Sequence, residues 1–131
     1  MSFFNNPSWI DPKILAYTNL DEVPQNLITE INEKLNGLVS KQPEVSIVIP
    51  VWNEEVNIIR TLYTLVQSKT SASLEVIVIN NNSTDRTQEV LDKLHVSSFV
   101  EKKQGVGPAR QLGQVNREGS CDCWRIYLWI A

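Results

Sequence analysis

Two stretches decide the fold: Val45-Ser-Ile-Val-Ile-Pro50 and Leu74-Glu-Val-Ile-Val-Ile79. Each is a short, β-branched run without the apolar and polar alternation of a half-exposed strand, which predicts strands buried on both faces. Apolar residues with helical spacing lie before, between and after these runs. Alternating strands and helices predict an α/β fold, with a mostly parallel sheet and helices on both of its faces.

The segments around these strands complete the alternation. A helical pattern follows Pro24 and ends before Pro43. The next helix is expected directly after the first strand, with Asn53 as its cap and Glu54 and Glu55 in its first turn. The later elements are a helix capped by Ser83 or Asp85, a strand over 96–100, a turn at Gly105 with a helix from Pro108, and a strand over 124–130.

Composition bounds the class of protein. The chain has 131 residues, 42% of them apolar and 21% charged, with a net charge of -3 that falls within residues 1–44. We expect an N-terminal arm and helix over 1–44 and a sheet domain over 45–131. The absence of a concentrated basic face argues against nucleic acid as a partner. No apolar run reaches the roughly 20 residues of a membrane span, which predicts no transmembrane segment and a cytoplasmic protein.

Few residues are suited to metal or nucleophilic chemistry. Cys121 and Cys123 are the only cysteines and lie too close together to staple a fold. His95 is the only histidine, so neither a metal site nor a catalytic triad is expected. We interpret His95 as an ordinary residue in the last turn of a helix, and we name no catalytic residue and no metal ligand.

Three polar segments follow the first three predicted strands: 50–55, 80–85 and 102–110. Because parallel strands end at one edge of the sheet, these segments should meet where such folds bind ligands. Trp52 offers a surface for a nucleobase, and Arg110 offers a cationic fork near a helix start. These are the parts needed to hold a nucleotide and its phosphates.

The same three segments carry a family resemblance. Val45-Ser-Ile-Val-Ile-Pro-Val-Trp-Asn-Glu-Glu55, Glu75-Val-Ile-Val-Ile-Asn-Asn-Asn-Ser-Thr-Asp85 and Gln104-Gly-Val-Gly-Pro-Ala-Arg110 resemble, in order and spacing, the start of a family two glycosyltransferase of the GT-A fold. The likeness covers about residues 45–113. It implies the Rossmann-like, nucleotide-binding half of that fold and transfer of a sugar from a UDP- or GDP-linked donor to an acceptor.

The resemblance also implies roles for individual residues. Trp52 stands in the place of a usual tyrosine against the nucleobase and ribose, and Arg110 matches an arginine near the donor nucleotide. Asn81 stands where many members have an aspartate that reads the base, and its amide oxygen is expected to accept a hydrogen bond from a uracil or guanine N–H. The implied nucleotide-sugar-binding residues are Pro50, Val51, Trp52, Glu54, Asn81 and Arg110.

The resemblance implies a divalent cation, Mg²⁺ or Mn²⁺, on the donor diphosphate. In the family the fourth strand leads into an Asp-x-Asp motif that binds this cation, and the catalytic base lies beyond it. Ile126-Tyr-Leu-Trp-Ile130 resembles that strand, and the sequence ends at Ala131. We therefore expect a truncated, catalytically incomplete form that binds a nucleoside diphosphate weakly or not at all and transfers no sugar, with membrane association only if a longer form exists.

Two other functions compete with this interpretation. Half of a fold exposes apolar surface, which predicts a non-enzymatic module that self-associates or binds a partner. Gly105-x-Gly107 instead suggests a dinucleotide-binding turn. Such a turn normally follows the first strand and has a third glycine, at the position that Arg110 occupies here. Light scattering tests the first alternative, and a thermal-shift response to NAD tests the second.

Overall fold

Four strands and four helical segments make up most of the described chain. The computed structural model describes residue 14 and residues 16–68, 71–105, 107–108, 111–112 and 124–127. In chain order the elements are a short 3-10 turn (Leu20–Glu22), α1 (Gln25–Leu38), β1 (Val45–Val51), α2 (Asn57–Val66), β2 (Leu74–Asn80), α3 (Thr87–Lys93), β3 (Ser97–Val100) and β4 (Trp124–Tyr127). Gly107, Pro108, Gln111 and Leu112 are also helical.

The four strands form one sheet in the order β3-β2-β1-β4, and every neighbouring pair is parallel. Val45 of β1 lies beside Leu74 of β2 on one side and beside Trp124 of β4 on the other. The chain thus moves outward from β1 to β3 and then crosses back to pair β4 with β1. This reversal of strand order places a topological switch point at the carboxyl end of β1.

One face of the sheet carries the main core. Alternate strand residues such as Ile49 and Val78, both 0% exposed, point toward α1, α2 and α3. Helix α1 contributes Ile31 and Leu35, also 0% exposed, and helix α2 contributes Leu62. Because α1 shares this core with the strands, the helix that precedes the sheet is part of the same packed unit; the division of the chain at residue 45 stays a prediction.

The opposite face holds a smaller apolar cluster. Val48, Ile77 and Ile79 are buried there, with Phe99 and the helical Leu112 packed against them. Both faces of the sheet are therefore covered, which confirms the predicted α/β architecture.

A segment that we call the N-terminal strap, residues 16–23, crosses the helices α2 and α3. The Nε atom of Arg60 donates to the carbonyl oxygen of Ile14 at 3.1 Å, and its Nη2 donates to that of Tyr17. Arg86 at the start of α3 pairs with Asp21 of the strap at 2.7 Å. Ile14 is only 3% exposed, so Ile14 and the strap together close one end of the core. The rest of the predicted arm, 1–13 and 15, lies outside the described residues.

Two sequence predictions are wrong in detail. Helix α2 begins at Asn57, so Asn53, Glu54 and Glu55 precede it rather than form its cap and first turn. His95 lies beyond the end of α3, where its backbone N–H donates to Asn32 Oδ1 at 2.8 Å and its ring Nδ1 is 3.0 Å from Asn36 Oδ1. His95 therefore ties the chain after α3 to α1.

Part of the predicted final strand is present as β4; 128–130, with Cys121 and Cys123, lie outside the described residues. Among the helices that the structure describes, none is both long and apolar enough to cross a bilayer.

Candidate functional site

Three loops meet at the carboxyl edge of the sheet. Loop 1 comprises residues 52–56 after β1, loop 2 comprises 81–86 after β2, and loop 3 comprises 101–105 after β3. The strand ends lie side by side, because Val51 is in register with Asn80, and Asn80 with Val100. The structure therefore brings together the three segments that the sequence predicted would share one edge.

Trp52 is an exposed aromatic residue at this edge. It directly follows β1, whose last two residues, Pro50 and Val51, are buried, yet 49% of its surface remains exposed. Trp52 lies at the switch point, where open parallel sheets bind their ligands. Its ring is thus available for stacking, whereas Pro50 and Val51 form the buried base beneath it.

Asn53 joins loop 1 to loop 2. Its Oδ1 accepts hydrogen bonds from the backbone N–H groups of Thr84 at 2.7 Å and Asp85 at 3.3 Å. Its own backbone N–H donates to Ser83 Oγ at 3.0 Å. Asn53 adopts φ 50°, a left-handed conformation that asparagine tolerates better than most residues. The carboxamide that was predicted to cap α2 therefore organises loop 2 instead.

Glu54 is held from two directions. Its backbone N–H donates to Thr87 Oγ1 at 3.1 Å, and its carboxylate Oε2 accepts from Asn57 Nδ2 at 2.6 Å. Thr87 is fully buried and in turn donates through its backbone N–H to Asp85 Oδ1 at 3.0 Å. Arg86 occupies the cap position of α3 without a side-chain bond there, and Asp85, one of the two predicted caps, accepts instead from the first helical N–H, that of Thr87. Glu54 presents a fixed carboxylate beside Trp52.

Asn81 faces the protein rather than the solvent. It is 4% exposed, its Nδ2 donates to the carbonyl oxygen of Lys103 at 3.0 Å, and its Oδ1 accepts from the N–H of Gly105 at 2.9 Å. Its backbone N–H donates to the carbonyl oxygen of Val51 at 2.8 Å. The amide oxygen predicted to read a nucleobase therefore already has a partner in loop 3, and the predicted base contact stays a prediction.

Loop 3 borders a cavity of about 340 Å³ lined by Glu101, Lys103, Pro108, Gln111 and Leu112. Its Gly105 adopts φ 134°, a conformation open to glycine. Because this glycine follows β3 and loop 1 after β1 has none, the arrangement differs from a dinucleotide-binding turn. Arg110, the predicted cation of this loop, lies outside the described residues.

A charged cluster flanks the site at the start of α3. Arg86 bonds Glu89 at 3.1 Å, and Lys93 reaches the same carboxylate at 3.4 Å. These bonds, that from Arg86 first, lower the pKa of Glu89 to about 2, and the carboxylates of Glu89 and Asp21 raise the pKa of Arg86 further above its usual value. The cluster lies on the surface and supports the strap rather than the loops.

The described residues do not fit the divalent cation that the resemblance implies. In that part of the chain, no three His, Cys, Asp or Glu side chains come together in a way that could hold a metal ion. The Oε2 atom of Glu55 is buried and has no hydrogen-bond partner among the described residues, but one carboxylate falls short of the several oxygen ligands that Mg²⁺ or Mn²⁺ takes.

Sequence reasoning missed the residues that connect the loops. Asn53 was expected to serve its own helix, and Gly105 was expected only to turn the chain. Asn53 and its partners in loop 2 are some 30 positions apart, and no local pattern marks such a pair. The one available signal was the high number of asparagines in the first two loops, since their side chains bond backbone groups of turns.

The sheet is parallel, has a switch point, is covered on both faces and bears three connected loops at its carboxyl edge. These features define the class of Rossmann-like folds with a ligand site at that edge. Within this class the chain belongs to glycosyl transferase family 2, whose family model matches residues 46–130.

Individual proteins show the same likeness. The chain is 44% identical over 61 residues to the probable glycosyltransferase YdaM of Bacillus subtilis (strain 168), a match over 46% of this chain and 13% of that protein. It is also similar to crystal structures of glucosyl-3-phosphoglycerate synthase from Mycobacterium tuberculosis, determined with UDP or with Mn²⁺, UDP and glucosyl-3-phosphoglycerate. That likeness has a TM-score of 0.40 and 22% identity, over 71% of this chain and 35% of the other. The chain thus spans well under half the length of these relatives.

Proposed function

We propose that the chain forms the nucleotide-binding part of a glycosyltransferase that uses a UDP- or GDP-linked sugar. The family membership supports the reaction class, and the carboxyl edge of the sheet supplies a site suited to a nucleoside diphosphate. The observation that carries the proposal is Trp52: a large ring, half exposed, held at the switch point directly above a buried strand.

Each loop has a part in this proposal. Trp52 stacks on the base, and the buried Pro50–Val51 end of β1 supports it from below. Glu54, oriented by Asn57, accepts hydrogen bonds from ribose hydroxyls. The remaining proposed binding residues are Asn81, which is buried between the loops, and Arg110, which is the expected partner of the phosphates.

A divalent cation belongs to the proposal only at the level of the family. When bound to a donor diphosphate, such an ion offsets the negative charge that gathers on the leaving group. We assign it no ligand and no step here, because the described residues do not assemble a metal site. No catalytic residue is assigned either, and weak nucleotide binding is the activity that we propose for this chain.

NMR titration tests the proposal and suits weak binding. UDP or GDP, added up to about 10 mM to detect a Kd of about 1 mM, should shift the indole N–H of Trp52 and the amides of loops 1 and 2. Base stacking contributes about 1–3 kcal/mol, so Trp52→Ala should weaken binding by about 5- to 150-fold, whereas Trp52→Phe should weaken it less.

The matched control is Val39→Ala. Val39 is also an exposed apolar residue, at 41%, but it bridges to Leu74 at the opposite end of the sheet. The Val39→Ala variant should therefore bind UDP and GDP as the unsubstituted chain does. If neither nucleotide shifts the loop amides of the unsubstituted chain, or if Trp52→Ala binds as well as Val39→Ala, the proposed function is wrong.

A further inference from the structure

Both ends of the Asn81 carboxamide bond to the backbone of loop 3. Its Nδ2 donates to the carbonyl oxygens of Lys103, at 3.0 Å, and Glu101, at 3.4 Å, and its Oδ1 accepts from the N–H of Gly105 at 2.9 Å. A backbone that presents both acceptors and a donor needs a side chain with both donor and acceptor, which asparagine has and aspartate lacks when ionised. With 4% of the residue exposed, water cannot readily replace a lost partner.

Backbone hydrogen bonds on either side of residue 81 connect the end of β2 to the ends of β1 and β3. The N–H of Asn81 donates to the carbonyl oxygen of Val51 at 2.8 Å, and the N–H of Glu101 donates to the carbonyl oxygen of Asn80 at the same distance. The Asn80 side chain is itself held by Gln88, through Nδ2 at 2.8 Å. Asn81 is therefore a rigid junction between the end of β1, loop 2 and loop 3.

We propose that Asn81 is a positioning residue, which fixes loop 3 at the nucleotide site through both ends of its buried carboxamide. This role rests on the proposed function of the same site. It implies that the amide nitrogen matters as much as the oxygen. An aspartate of nearly the same shape would keep the acceptor for Gly105 but direct a second oxygen at the carbonyl oxygen of Lys103.

The first test compares Asn81→Asp with Asn82→Asp. Asn82 is the next residue of the same loop and is exposed, so its variant adds the same charge without touching the junction. Hydrogen exchange of the Gly105 amide, measured without ligand, should accelerate by about fivefold or more in Asn81→Asp and stay unchanged in Asn82→Asp. Unchanged exchange in Asn81→Asp would overturn the proposal.

The same variants are then titrated with UDP. Asn81→Asp should weaken the Trp52 and loop responses by about fivefold or more beyond the effect of Asn82→Asp. A faster Gly105 exchange with undiminished UDP binding would overturn the positioning role. If the unsubstituted chain does not respond to UDP, the proposed function is wrong, and the positioning role is wrong with it. The Gly105 exchange, which is measured without ligand, still shows in that case whether Asn81 holds loop 3.

A second pair of variants moves loop 3 while Asn81 stays intact. Gly105→Ala places a side chain at φ 134°, a conformation that L residues rarely adopt, and should weaken UDP binding like Asn81→Asp. Gly107→Ala is the control, because a Cβ there meets no atom within 4 Å. Equal UDP binding by the two glycine variants would overturn the proposal, and a selective loss in Gly105→Ala supports it even if Asn81→Asp folds poorly.

Discussion

Replacing Asn53 by alanine should release loop 2 from loop 1. The change removes Oδ1, which accepts from the N–H groups of Thr84 and Asp85 at 2.7 and 3.3 Å. It also leaves a residue with a Cβ, but without a locally bonding side chain, at φ 50°. Both effects act on the folded state, so Asn53→Ala should lower the free energy of unfolding.

The magnitude follows from these two effects. Two part-exposed hydrogen bonds are worth about 1 kcal/mol each at most, and an alanine in the left-handed region costs about 1 kcal/mol, giving about 2–3 kcal/mol in total. Asn53→Gly removes the strain and should cost about 1 kcal/mol less than alanine. Asn53→Asp keeps an oxygen at the same place and should stay within about 0.5 kcal/mol of the parent, because the bonds described for this side chain all use Oδ1.

Urea denaturation followed by fluorescence measures these differences. Asn82→Ala is the control, because Asn82 adopts nearly the same conformation, φ 59°, but is exposed. The difference between Asn53→Ala and Asn82→Ala then isolates the Oδ1 bonds at about 1–2 kcal/mol. Equal losses in these two variants, or an Asn53→Asp as unstable as Asn53→Ala, would refute the reasoning.

Two further predictions concern stability away from the loops. Leu35→Ala should lower the free energy of unfolding, measured by urea titration, by about 2–5 kcal/mol, because it empties a fully buried position in α1. Val39→Ala, at an exposed position, should change it little. Similar losses in both variants would show that α1 is not part of the core. Glu89 has a pKa lowered to about 2 in the folded state, below its ordinary value of 4.5, so its contribution is present above about pH 4.5 and is lost as the pH falls toward 2. Unfolding measured at neutral pH and near pH 3 should therefore show a smaller difference between the two conditions for Glu89→Gln than for the parent; an unchanged difference would contradict the ion pair with Arg86.

The order of strands and helices was readable from the sequence because burial on both faces leaves a direct pattern. β1 and β2 are mostly apolar, β-branched runs in which only Ser46, Glu75 and the terminal Asn80 are polar, and α1 repeats its apolar residues at helical spacing. The start of α2 was not readable in this way. Asn53 has the composition of a cap, but its Oδ1 bonds loop 2, so the helix begins only at Asn57.

The site was predictable in position and less so in detail. Parallel topology alone requires the three loops to share one edge, and an aromatic residue directly after β1 must lie there. Which side chains point outward depends on bonds between distant residues: Trp52 stays exposed, whereas Asn81 turns inward to loop 3. Such pairings arise from the assembled sheet, and no spacing along the chain encodes them.

The contact between Arg60 and the chain around the strap has a consequence for sequence variation. The guanidinium reaches the main-chain oxygens of Ile14 and Tyr17, and any amino acid at those two positions would offer the same oxygens. This attachment therefore places no demand on the identity of residues 14 and 17, although burial still favours an apolar side chain at Ile14. The attachment instead requires arginine at position 60, because the compact ammonium group of a lysine could not reach both main-chain oxygens and Asn57 as the forked guanidinium does.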